Sequence, residues 1–284
     1  MDAREITVSL GGRWQGQFGT APCPVCQGER RKGQNALTLA DGDDGRLLAH
    51  CKKSACSFVD IITALGLRDG SYAAPSPHEM AARKAEAAAD QKKKLERCRQ
   101  IWDQAKALAG TKGEAYLRGR GIQLPLAPSL RWRSDIFHSP SGAWVSAIIA
   151  KIEPTGAVHR TFFLKDGTRD KLMFGPCSGG AVRLADGSGP LVVGEGIEST
   201  LSALQLLDQQ NLRAWAGLNT SGMRGLTLPK EPGELILAVD GDAPGRAAGA
   251  DLAERATALG WSVSTADPGD GLDWNDRLIE EVAA

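Results

Sequence analysis

At 284 residues the chain is long enough for two domains, or for one large domain with a small appendage. Hydrophobic residues make up 42% of it and charged residues 24%, as in ordinary globular proteins, and no apolar run approaches the roughly 20 residues that a membrane-spanning helix needs. The amino-terminal sequence MDAREITVSLGGRW has acidic residues where a signal peptide has basic ones. We therefore expect a cytoplasmic protein with no membrane partner.

The net charge of zero conceals an asymmetry between two parts of the chain. Residues 1–189 carry 28 basic and 19 acidic side chains, whereas residues 190–284 carry 6 basic and 15 acidic ones. The basic part suggests a polyanionic partner. The acidic part either solvates a surface or concentrates carboxylates around a cation, and charge alone does not decide between the two.

Four of the six cysteines fall in one short window near the amino terminus. Two lie in the segment CPVC, at Cys23 and Cys26, and two in HCKKSAC, at Cys51 and Cys56. In a cytosolic protein, where disulfides are disfavoured, two close thiol pairs predict a tetrahedral zinc site. The intervening segments ALTLA, DGDDG and RLLAH predict a small hairpin, which is typical of a zinc ribbon. Because His50 adjoins Cys51, a site of three cysteines and one histidine stays open as the alternative.

A zinc ribbon can bind nucleic acid, or it can serve only as a strut or a protein contact. The basic runs ERRK at 29–32 and KK at 52–53 favour a nucleic-acid contact, because phosphates attract lysine and arginine. The remaining cysteines, Cys98 and Cys177, are interpreted as small buried residues rather than as ligands.

A helical stretch follows the predicted ribbon. The segment FVDIITALGL predicts a short amphipathic helix, and RDGSYAAPSP predicts a linker. Residues 78–109 are rich in Ala, Lys, Glu and Gln, which predicts one long helix or two. The basic run QKKKLER fits a solvated helix face better than a phosphate-binding one.

Residues 110–189 have the pattern of a small globular part. The segment GTKGEAYLRGRGIQL predicts a helix that ends at Gly121. AWVSAIIAKI and AVHRTFFLKDG predict two strands joined by a turn at EPTG. Arg160, Lys165 and Lys171 then predict a basic sheet surface, for which an ordinary solvated face is an equally weighted alternative.

Strands alternate with helices over residues 190–284. The segments PLVVGEGIESTLSALQLLDQ, RAWAGLN, ELILAVDGDAPGRAAGADLAERATALG and WSVSTADPGDGLDWNDRLIEE each begin with a strand, and all but the second continue into a helix. This order predicts a mostly parallel sheet with helices on its faces. In such sheets, ligands bind beyond the carboxyl ends of the strands.

Acidic residues follow three of these strands. Glu195 follows the first, Asp240 and Asp242 follow the third, and Asp273 and Asp276 follow the fourth. Taken alone, DGDAPG predicts only a turn, because Asp and Gly tolerate the backbone angles of a reversal. Carboxylates crowded at one sheet edge repel one another, however, and hard divalent ions with oxygen ligands relieve that repulsion. The sequence therefore predicts a Mg²⁺ or Mn²⁺ site that includes the turn.

Two of these acidic segments, VVGEGIES and LAVDGDAPG, resemble the Toprim domain of topoisomerases and primases, in which a glutamate follows one strand and Asp-x-Asp a later one. AYLRGRGI is similar to a signature of the bacterial-type primase core, and GAVHRTFFLKDGTRDKLMFGP resembles the strand pair before its Toprim part. The cysteine segment, with its GGRW lead-in, is similar to the zinc-binding domain of phage and plasmid primases. The resemblance covers roughly residues 10–70 and 110–280.

The resemblance implies roles for individual residues. It makes Glu195 the acidic residue closest to catalysis and Asp240 and Asp242 the catalytic metal-binding pair, with Asp273 at a later metal-binding position. For nucleotide or DNA binding it implies Arg118, Arg120, Arg160 and Lys171, to which the predicted basic sheet surface adds Lys165.

The chain departs from the pattern of that family in two places. Bacterial primases often have an aspartate four residues after the catalytic glutamate, where this chain has Ser199, so the neighbouring Glu198 is a candidate substitute. Asp276 is a further candidate ligand. The spacing of the cysteine pairs also departs from the usual one, which leaves the fourth zinc ligand open.

The implied function is that of a DNA primase, which synthesises short RNA primers on single-stranded DNA from nucleoside triphosphates by metal-dependent nucleotidyl transfer. Zinc would be structural, and Mg²⁺ or Mn²⁺ catalytic. The alternatives are a metal-dependent Toprim nuclease and an inactive single-stranded-DNA-binding replication accessory protein. A topoisomerase needs a nucleophilic tyrosine, and the chain has only Tyr72 and Tyr116. The sequence lacks Gly-x4-Gly-Lys-Ser/Thr, so a separate helicase is the expected partner.

The predicted fold class is α/β, in four consecutive parts. A Toprim-type, mostly parallel sheet with flanking helices is preceded by a small mixed α+β basic subdomain and by the zinc ribbon. The predicted boundaries are 1–70 for the ribbon, 71–109 for a helical linker, 110–189 for the basic subdomain and 190–284 for the Toprim domain.

Overall fold

The fold is described from a computed structural model, in which the chain divides into two compact units, Met1–Lys93 and Lys94–Ala284. The basic run ERRK lies outside the described residues, and the four predicted domain boundaries stay predictions. Within the described residues, no helix is both long enough and apolar enough to cross a bilayer. The structure describes residues 1–28, 34–67 and 71–283.

The first unit is built on a four-stranded antiparallel sheet in the order β1-β2-β3-β4. The predicted hairpin is β3 and β4, whose register pairs Leu37 with Cys51. Its core contains the fully buried side chains of Ile6, Leu39 and Ile61. The elements are α1 (Ala3–Ser9), β1 (Arg13–Trp14), β2 (Phe18–Ala21), β3 (Leu37–Asp41), β4 (Leu47–Cys51) and α2 (Phe58–Ala64).

The helix-forming segment after the ribbon is one helix, α3 (Pro77–Asp103), which runs through the boundary between the two units. Its first turn is capped by Ser76, which exchanges hydrogen bonds with Glu79, and Pro77 occupies the first helical position, where no backbone N–H is needed. Most of the helix is exposed, and Cys98 and Ile101 are its buried residues.

The second unit begins with an antiparallel five-stranded sheet in the order β5-β6-β7-β8-β9, called here the meander sheet. The predicted turn between β7 and β8 contains Gly156 at φ 77°, a left-handed conformation that glycine adopts without strain. The elements are β5 (Lys106–Ala107), α4 (Lys112–Gly119), β6 (Leu130–His138), β7 (Ala143–Ile152), β8 (Ala157–Phe163) and β9 (Arg169–Phe174).

The second sheet of this unit, called the parallel sheet, has the order β10-β12-β11-β13-β14. Strands β11 to β14 are parallel, and β10 is an antiparallel edge strand that the sequence analysis did not identify. The elements are β10 (Val182–Asp186), β11 (Leu191–Gly194), α5 (Ile197–Leu207), β12 (Arg213–Ala216), α6 (Thr220–Arg224), β13 (Glu234–Ala238), α7 (Ala243–Ala258), β14 (Ser262–Ala266) and α8 (Trp274–Ala283). The predicted α/β class is thereby confirmed.

Both faces of the parallel sheet are covered. On one face Leu191 and Leu237 pack with Leu252 of α7. On the other, Val192 packs into a core that contains α5 and α8 and continues to Trp132 of the meander sheet. One hydrophobic core therefore joins the two sheets of the second unit, and it positions the meander sheet beside α5.

Opposite faces of the meander sheet have different neighbours. We call the first the site-facing face; it carries Trp132, Ile148, Thr161 and Lys171, and its apolar residues belong to the core shared with the parallel sheet. The second, the helix-facing face, packs against the carboxyl-terminal part of α3. It carries Arg160, Phe162, Leu172 and Phe174.

Candidate functional site

Three parallel strands end level with one another at the edge where the acidic residues lie. The last residues of β11, β13 and β14 are paired in register, Gly194 with Ala238 and Ala238 with Ala266. Glu195 follows directly on β11, and Asp240 comes two residues after β13. Because the strands are parallel and in register, these acidic loops leave the sheet at the same edge, as the sequence predicted.

The Asp240 carboxyl group is the most perturbed acid at this edge. Burial raises its pKa first, and the nearby charges of Glu195 and Asp273 raise it further, to about 7. Its Oδ1 atom is buried and has no hydrogen-bond partner among the described residues. A buried carboxylate oxygen without a hydrogen-bond partner costs free energy. The group is therefore better explained as a ligand of a cation than as a side chain that only stabilises the fold.

The carboxyl group of Glu195 also has a raised pKa. Burial raises the pKa of its carboxyl group, and the negative charge of Asp242 raises it as well. Neighbouring acids therefore disfavour the ionisation of both Glu195 and Asp240, as expected where carboxylates are crowded. A divalent cation would reverse the sign of this interaction and stabilise the ionised forms.

Two further acids of the cluster are oriented by helix ends. Asp242 is the N-cap of α7 and accepts a hydrogen bond from the backbone N–H of Gly245 at 2.7 Å. Asp273 precedes α8, and its Oδ1 accepts from the backbone N–H groups of Asn275 and Asp276, both at 2.8 Å. These hydrogen bonds hold one oxygen of each carboxylate in place.

The loops after β13 and β14 are joined at Gly241. Its backbone N–H donates to the carbonyl of Leu272 at 2.8 Å, and the N–H of Gly271 donates to the Gly241 carbonyl at 2.9 Å. A Cβ atom at position 241 would collide with the carbonyl oxygen of Gly269, so only glycine allows this approach. The contact fixes the position of Asp240 relative to Asp273.

Glu198, which the sequence left open as a metal ligand, has other partners. It is buried, and its Oε1 accepts from the Tyr116 hydroxyl at 3.0 Å, while its Oε2 accepts from Lys171 Nζ at 2.9 Å. Burial is the largest single effect and opposes ionisation, but the charge of Lys171 and the hydrogen bonds from Lys171 and Tyr116 together outweigh it and hold the pKa of Glu198 below its usual value. The neighbouring Ser199 lies by Asp240 and favours its ionised form.

The Tyr116–Glu198–Lys171 contact was missed by the sequence analysis. The tyrosine and the lysine lie in the two segments that the resemblance singled out, yet nothing in the sequence links either residue to Glu198. The contact joins α4 and β9 to the first turn of α5, directly after Glu195. It therefore positions the amino-terminal end of α5 at the acidic edge.

Among the predicted basic site residues, Arg118 and Arg120 lie at the end of α4. The Arg118 guanidinium donates to the carbonyls of Ile122 and Leu124 at 3.0 and 2.9 Å, which stabilises the turn that follows the helix. Arg120 has a buried Nε atom without a hydrogen-bond partner among the described residues. Its backbone carbonyl accepts from the Asn275 side chain, which ties this turn to α8.

The other three predicted basic residues do not share a surface. Lys171 lies on the site-facing face of the meander sheet, and Lys165 is exposed in the turn between β8 and β9. Arg160 lies on the helix-facing face, with its guanidinium over the rings of Phe162 and Phe174 at 5.2 and 5.4 Å. The structure therefore separates Arg160 from Lys171 by the thickness of the sheet.

The four cysteines of the predicted zinc site lie together in the first unit. The Sγ atoms of Cys23, Cys26, Cys51 and Cys56 all lie within 4.8 Å of one another, and those of Cys26 and Cys51 are 3.6 Å apart. His50 is exposed, whereas Cys51 is buried, because alternate residues of β4 point to opposite faces. Four clustered thiols fit a tetrahedral metal ion, and the histidine lies outside that set.

Two family models match the chain. Residues 190–284 match the model described as the Toprim domain, and residues 92–184 match one described as a domain of unknown function, DUF7146. The carboxyl-terminal part is therefore a Toprim domain, which confirms the resemblance of its acidic motifs. A comparison with curated proteins finds no match for the chain.

Three solved structures are similar to the chain. A DNA primase domain from Pseudomonas aeruginosa is 17% identical, covering 61% of this chain and 69% of its own, at a TM-score of 0.37. The Aquifex aeolicus primase, with its zinc-binding and RNA polymerase domains, is 14% identical. The match covers 99% of this chain and 80% of the primase chain, at a TM-score of 0.41. The primase fragment of the bacteriophage T7 primase-helicase protein is 21% identical. The match covers 48% of this chain and 65% of that fragment, at a TM-score of 0.30. Since all three scores lie below 0.5, these likenesses carry no functional argument.

Proposed function

Since residues 190–284 form a Toprim domain, we propose that the chain is a DNA primase, which synthesises short RNA primers on single-stranded DNA from nucleoside triphosphates. The observation that carries the proposal is the Asp240 carboxyl group. It combines a buried oxygen that has no partner among the described residues with a pKa raised to about 7 by burial and neighbouring acids. Such a group is suited to metal-dependent nucleotidyl transfer.

The proposed catalytic ion is Mg²⁺ or Mn²⁺, held by Glu195, Asp240, Asp242 and Asp273. Oxygen ligands suit both ions, and the mutual repulsion of these acids would be relieved by a divalent charge. When bound, the ion supplies positive charge that neutralises the phosphates of the triphosphate during transfer. The protein holds the carboxylates in place through the joined loops and the helix N-termini, so little reorganisation is needed on binding.

Basic residues would bind the phosphates of the triphosphate and the template. Three residues are proposed for this role: Lys165, Lys171 and Arg169. The proposal is supported by the exposure of Lys165 and Arg169 and by the contact of Lys171 with the first turn of α5. Arg118, Arg120 and Arg160 stay predictions as nucleotide-binding residues. The Arg118 guanidinium bonds backbone carbonyls and that of Arg160 lies over aromatic rings, and these contacts stabilise the fold. The buried Nε of Arg120 has no hydrogen-bond partner among the described residues.

The proposed partners are single-stranded DNA and, because the sequence lacks a P-loop, a separate helicase. We propose that the four clustered thiols hold a structural Zn²⁺, which would stabilise the small first unit. A ribbon held in this way would contact the template through its basic residues, such as Lys52 and Lys53, which are both exposed.

The primer-synthesis experiment compares the wild type with Asp240→Asn, which keeps the size of the side chain and removes its charge. Each protein is incubated with ribonucleotides, Mg²⁺ and single-stranded DNA, and the products are resolved by length. We expect short RNA products from the wild type and a loss of at least about 100-fold in the variant, because a ligand of the catalytic ion is removed.

Asp270→Asn is the matched control, since Asp270 lies in the loop that precedes Asp273 and its side chain is 93% exposed in an ion pair with Arg246. It should synthesise RNA at the wild-type rate. Absence of RNA from the wild type would refute the primase proposal. Cleavage of the DNA instead would indicate the nuclease, and DNA binding without either reaction would indicate the accessory protein.

A further inference from the structure

Two large aromatic side chains are exposed side by side at one end of the meander sheet. Phe137 of β6 and Trp144 of β7 are directly paired across the strands, with ring centroids 5.7 Å apart. Phe137 is 45% exposed and Trp144 is 63% exposed. Exposed aromatic surface of this kind is unfavourable in water, and clustered instances mark binding sites. Neither residue contributes to the acidic site described above.

The aromatic pair lies on the site-facing face. Alternation along β7 places Trp144 on the same side of the sheet as Ser146 and Ile148. Ser146 is paired with Phe163, and Phe163 with Arg169, so these side chains form the next row across the sheet. Rows on one face are about 7 Å apart, since a strand rises about 3.3 Å per residue.

The row after that one leads to the acidic edge. It contains Ile148, Thr161 and Lys171, and Lys171 donates to Glu198 in the first turn of α5. The exposed Arg169 lies between this row and the aromatic pair, with its guanidinium 4.2 Å from the ring centroid of Phe163. Aromatic and cationic groups therefore follow one another from the exposed pair towards the Toprim domain.

We infer that Phe137 and Trp144 form a platform on which bases of single-stranded nucleic acid stack, next to the cations that bind its phosphates. The inference rests on the proposed function, because it assigns the pair to the template strand. Bases stack on exposed aromatic rings whatever their identity, and neighbouring lysine and arginine bind the backbone. The same face offers both kinds of group within two rows.

Charge favours nucleic acid over a protein partner at this surface. On the site-facing face next to the pair, Arg169 and Lys171 are the charged residues of β9, whereas the acidic Asp170 faces the other way and binds His138. A polyanion is therefore attracted to the surface that carries the aromatic pair.

The binding test measures the affinity of the full chain for a labelled single-stranded oligonucleotide by fluorescence anisotropy. The double variant Phe137→Ala/Trp144→Ala should bind about 10- to 100-fold more weakly, while the dependence of affinity on salt stays as in the wild type, because stacking releases no counterions. Trp144→Phe keeps an aromatic ring and should lose less than about threefold. Leu259→Ala, which removes a side chain that is 57% exposed elsewhere in the second unit, should bind as the wild type does.

A second oligonucleotide with abasic positions separates stacking from other effects, because it keeps every phosphate. The wild type should bind it as weakly as the double variant does, and the double variant should bind both oligonucleotides equally. Equal affinity of wild type and double variant for the ordinary strand would overturn the inference, as would equal binding of the two strands by the wild type. If the aromatic pair were instead a docking site for a protein, the wild type and the double variant would bind the ordinary strand with equal affinity.

The binding test stands apart from primer synthesis. If the wild type distinguishes the two oligonucleotides but synthesises no RNA, the platform is supported and the primase proposal fails. If it synthesises RNA without distinguishing them, the primase proposal is supported and the platform is refuted.

Discussion

Two carboxyl groups near the acidic edge, the buried Glu198 and the half-buried Asp240, ionise differently because their neighbours differ. Glu198 is bound by Lys171 and Tyr116, and the charge of the lysine together with these hydrogen bonds keeps its pKa low despite burial. Asp240 has acids as its charged neighbours, so burial and repulsion act together and raise its pKa to about 7. The first carboxylate stabilises the fold, whereas the ionised form of the second is destabilised until a cation binds.

The raised pKa of Asp240 predicts a dependence of stability on pH in the absence of divalent ions. The folded state binds this proton more tightly than the unfolded state, whose pKa is 3.8, so stability is lost as pH rises from about 4 to about 7 and stays constant above. The shift corresponds to roughly 4 kcal/mol at most. Thermal unfolding in a chelator should therefore show a wild-type protein that loses stability over this range relative to Asp240→Asn.

Mg²⁺ should abolish this difference at neutral pH. Since a bound cation favours the ionised carboxylate, it should raise the melting temperature of the wild type at pH 7.5 and leave that of Asp240→Asn nearly unchanged. Calorimetry with and without the ion provides the measurement. An equal increase in both proteins would show that Mg²⁺ binds elsewhere.

At the scale of the element, the alternating direction of side chains along the short strand β4 decides which residue can bind the metal. In β4 the side chain of Cys51 points inward to the other three thiols, and that of His50 points outward. The two residues are adjacent in sequence, so both satisfy the spacing of a zinc site. Only the pleat of the strand, which sends successive side chains to opposite faces, distinguishes them.

Substitution of these two neighbours tests the assignment. We expect the wild type to contain one zinc ion per chain, Cys51→Ser to lose most of it, and His50→Ala to retain it, since the histidine lies outside the cluster. Metal analysis of the purified proteins measures this directly. Zinc lost from His50→Ala and kept by Cys51→Ser would reverse the assignment.

At the scale of the whole molecule, the chain has two units with separate cores and separate candidate metal centres. The first unit is the smaller of the two, and its core is built from Ala, Leu and Ile side chains together with Cys23 and Cys51. A structural zinc ion contributes its binding free energy to folding, so we expect the first unit to depend on its metal. The second unit has two sheets and a continuous core, so we expect it to fold without zinc.

Removal of each metal should therefore destabilise one unit and leave the other unchanged. In differential scanning calorimetry, a zinc chelator should lower or abolish one unfolding transition, and Mg²⁺ should raise only the other. Asp240→Asn should remove the response to Mg²⁺ without affecting the response to zinc removal. A single transition that shifts with both treatments would contradict the independence of the units.

Much of the architecture could be predicted from local sequence. The hairpin of the ribbon, the strand pair around EPTG and the alternation of strands and helices after Pro190 all follow from turn residues and hydrophobic period, and the structure confirms them. The gathering of Glu195, Asp240 and Asp273 also follows, because parallel strands share one carboxyl edge. The sequence pattern is sufficient for these features because each one is caused either by residues within a single segment or by the parallel direction of the strands.

Other features depend on contacts between residues far apart in the chain. The edge strand β10 pairs with β12, Lys171 binds Glu198, and Arg160 lies on the face opposite to Lys171. The sequence by itself determined the strands and helices that carry the acidic loops and the hairpin that carries the thiols, but not the edge strand β10. Only the tertiary structure decided which acids are paired with a basic side chain and which repel one another. The packing of the two sheets sets how deeply each acid is buried and which charged residues lie beside it.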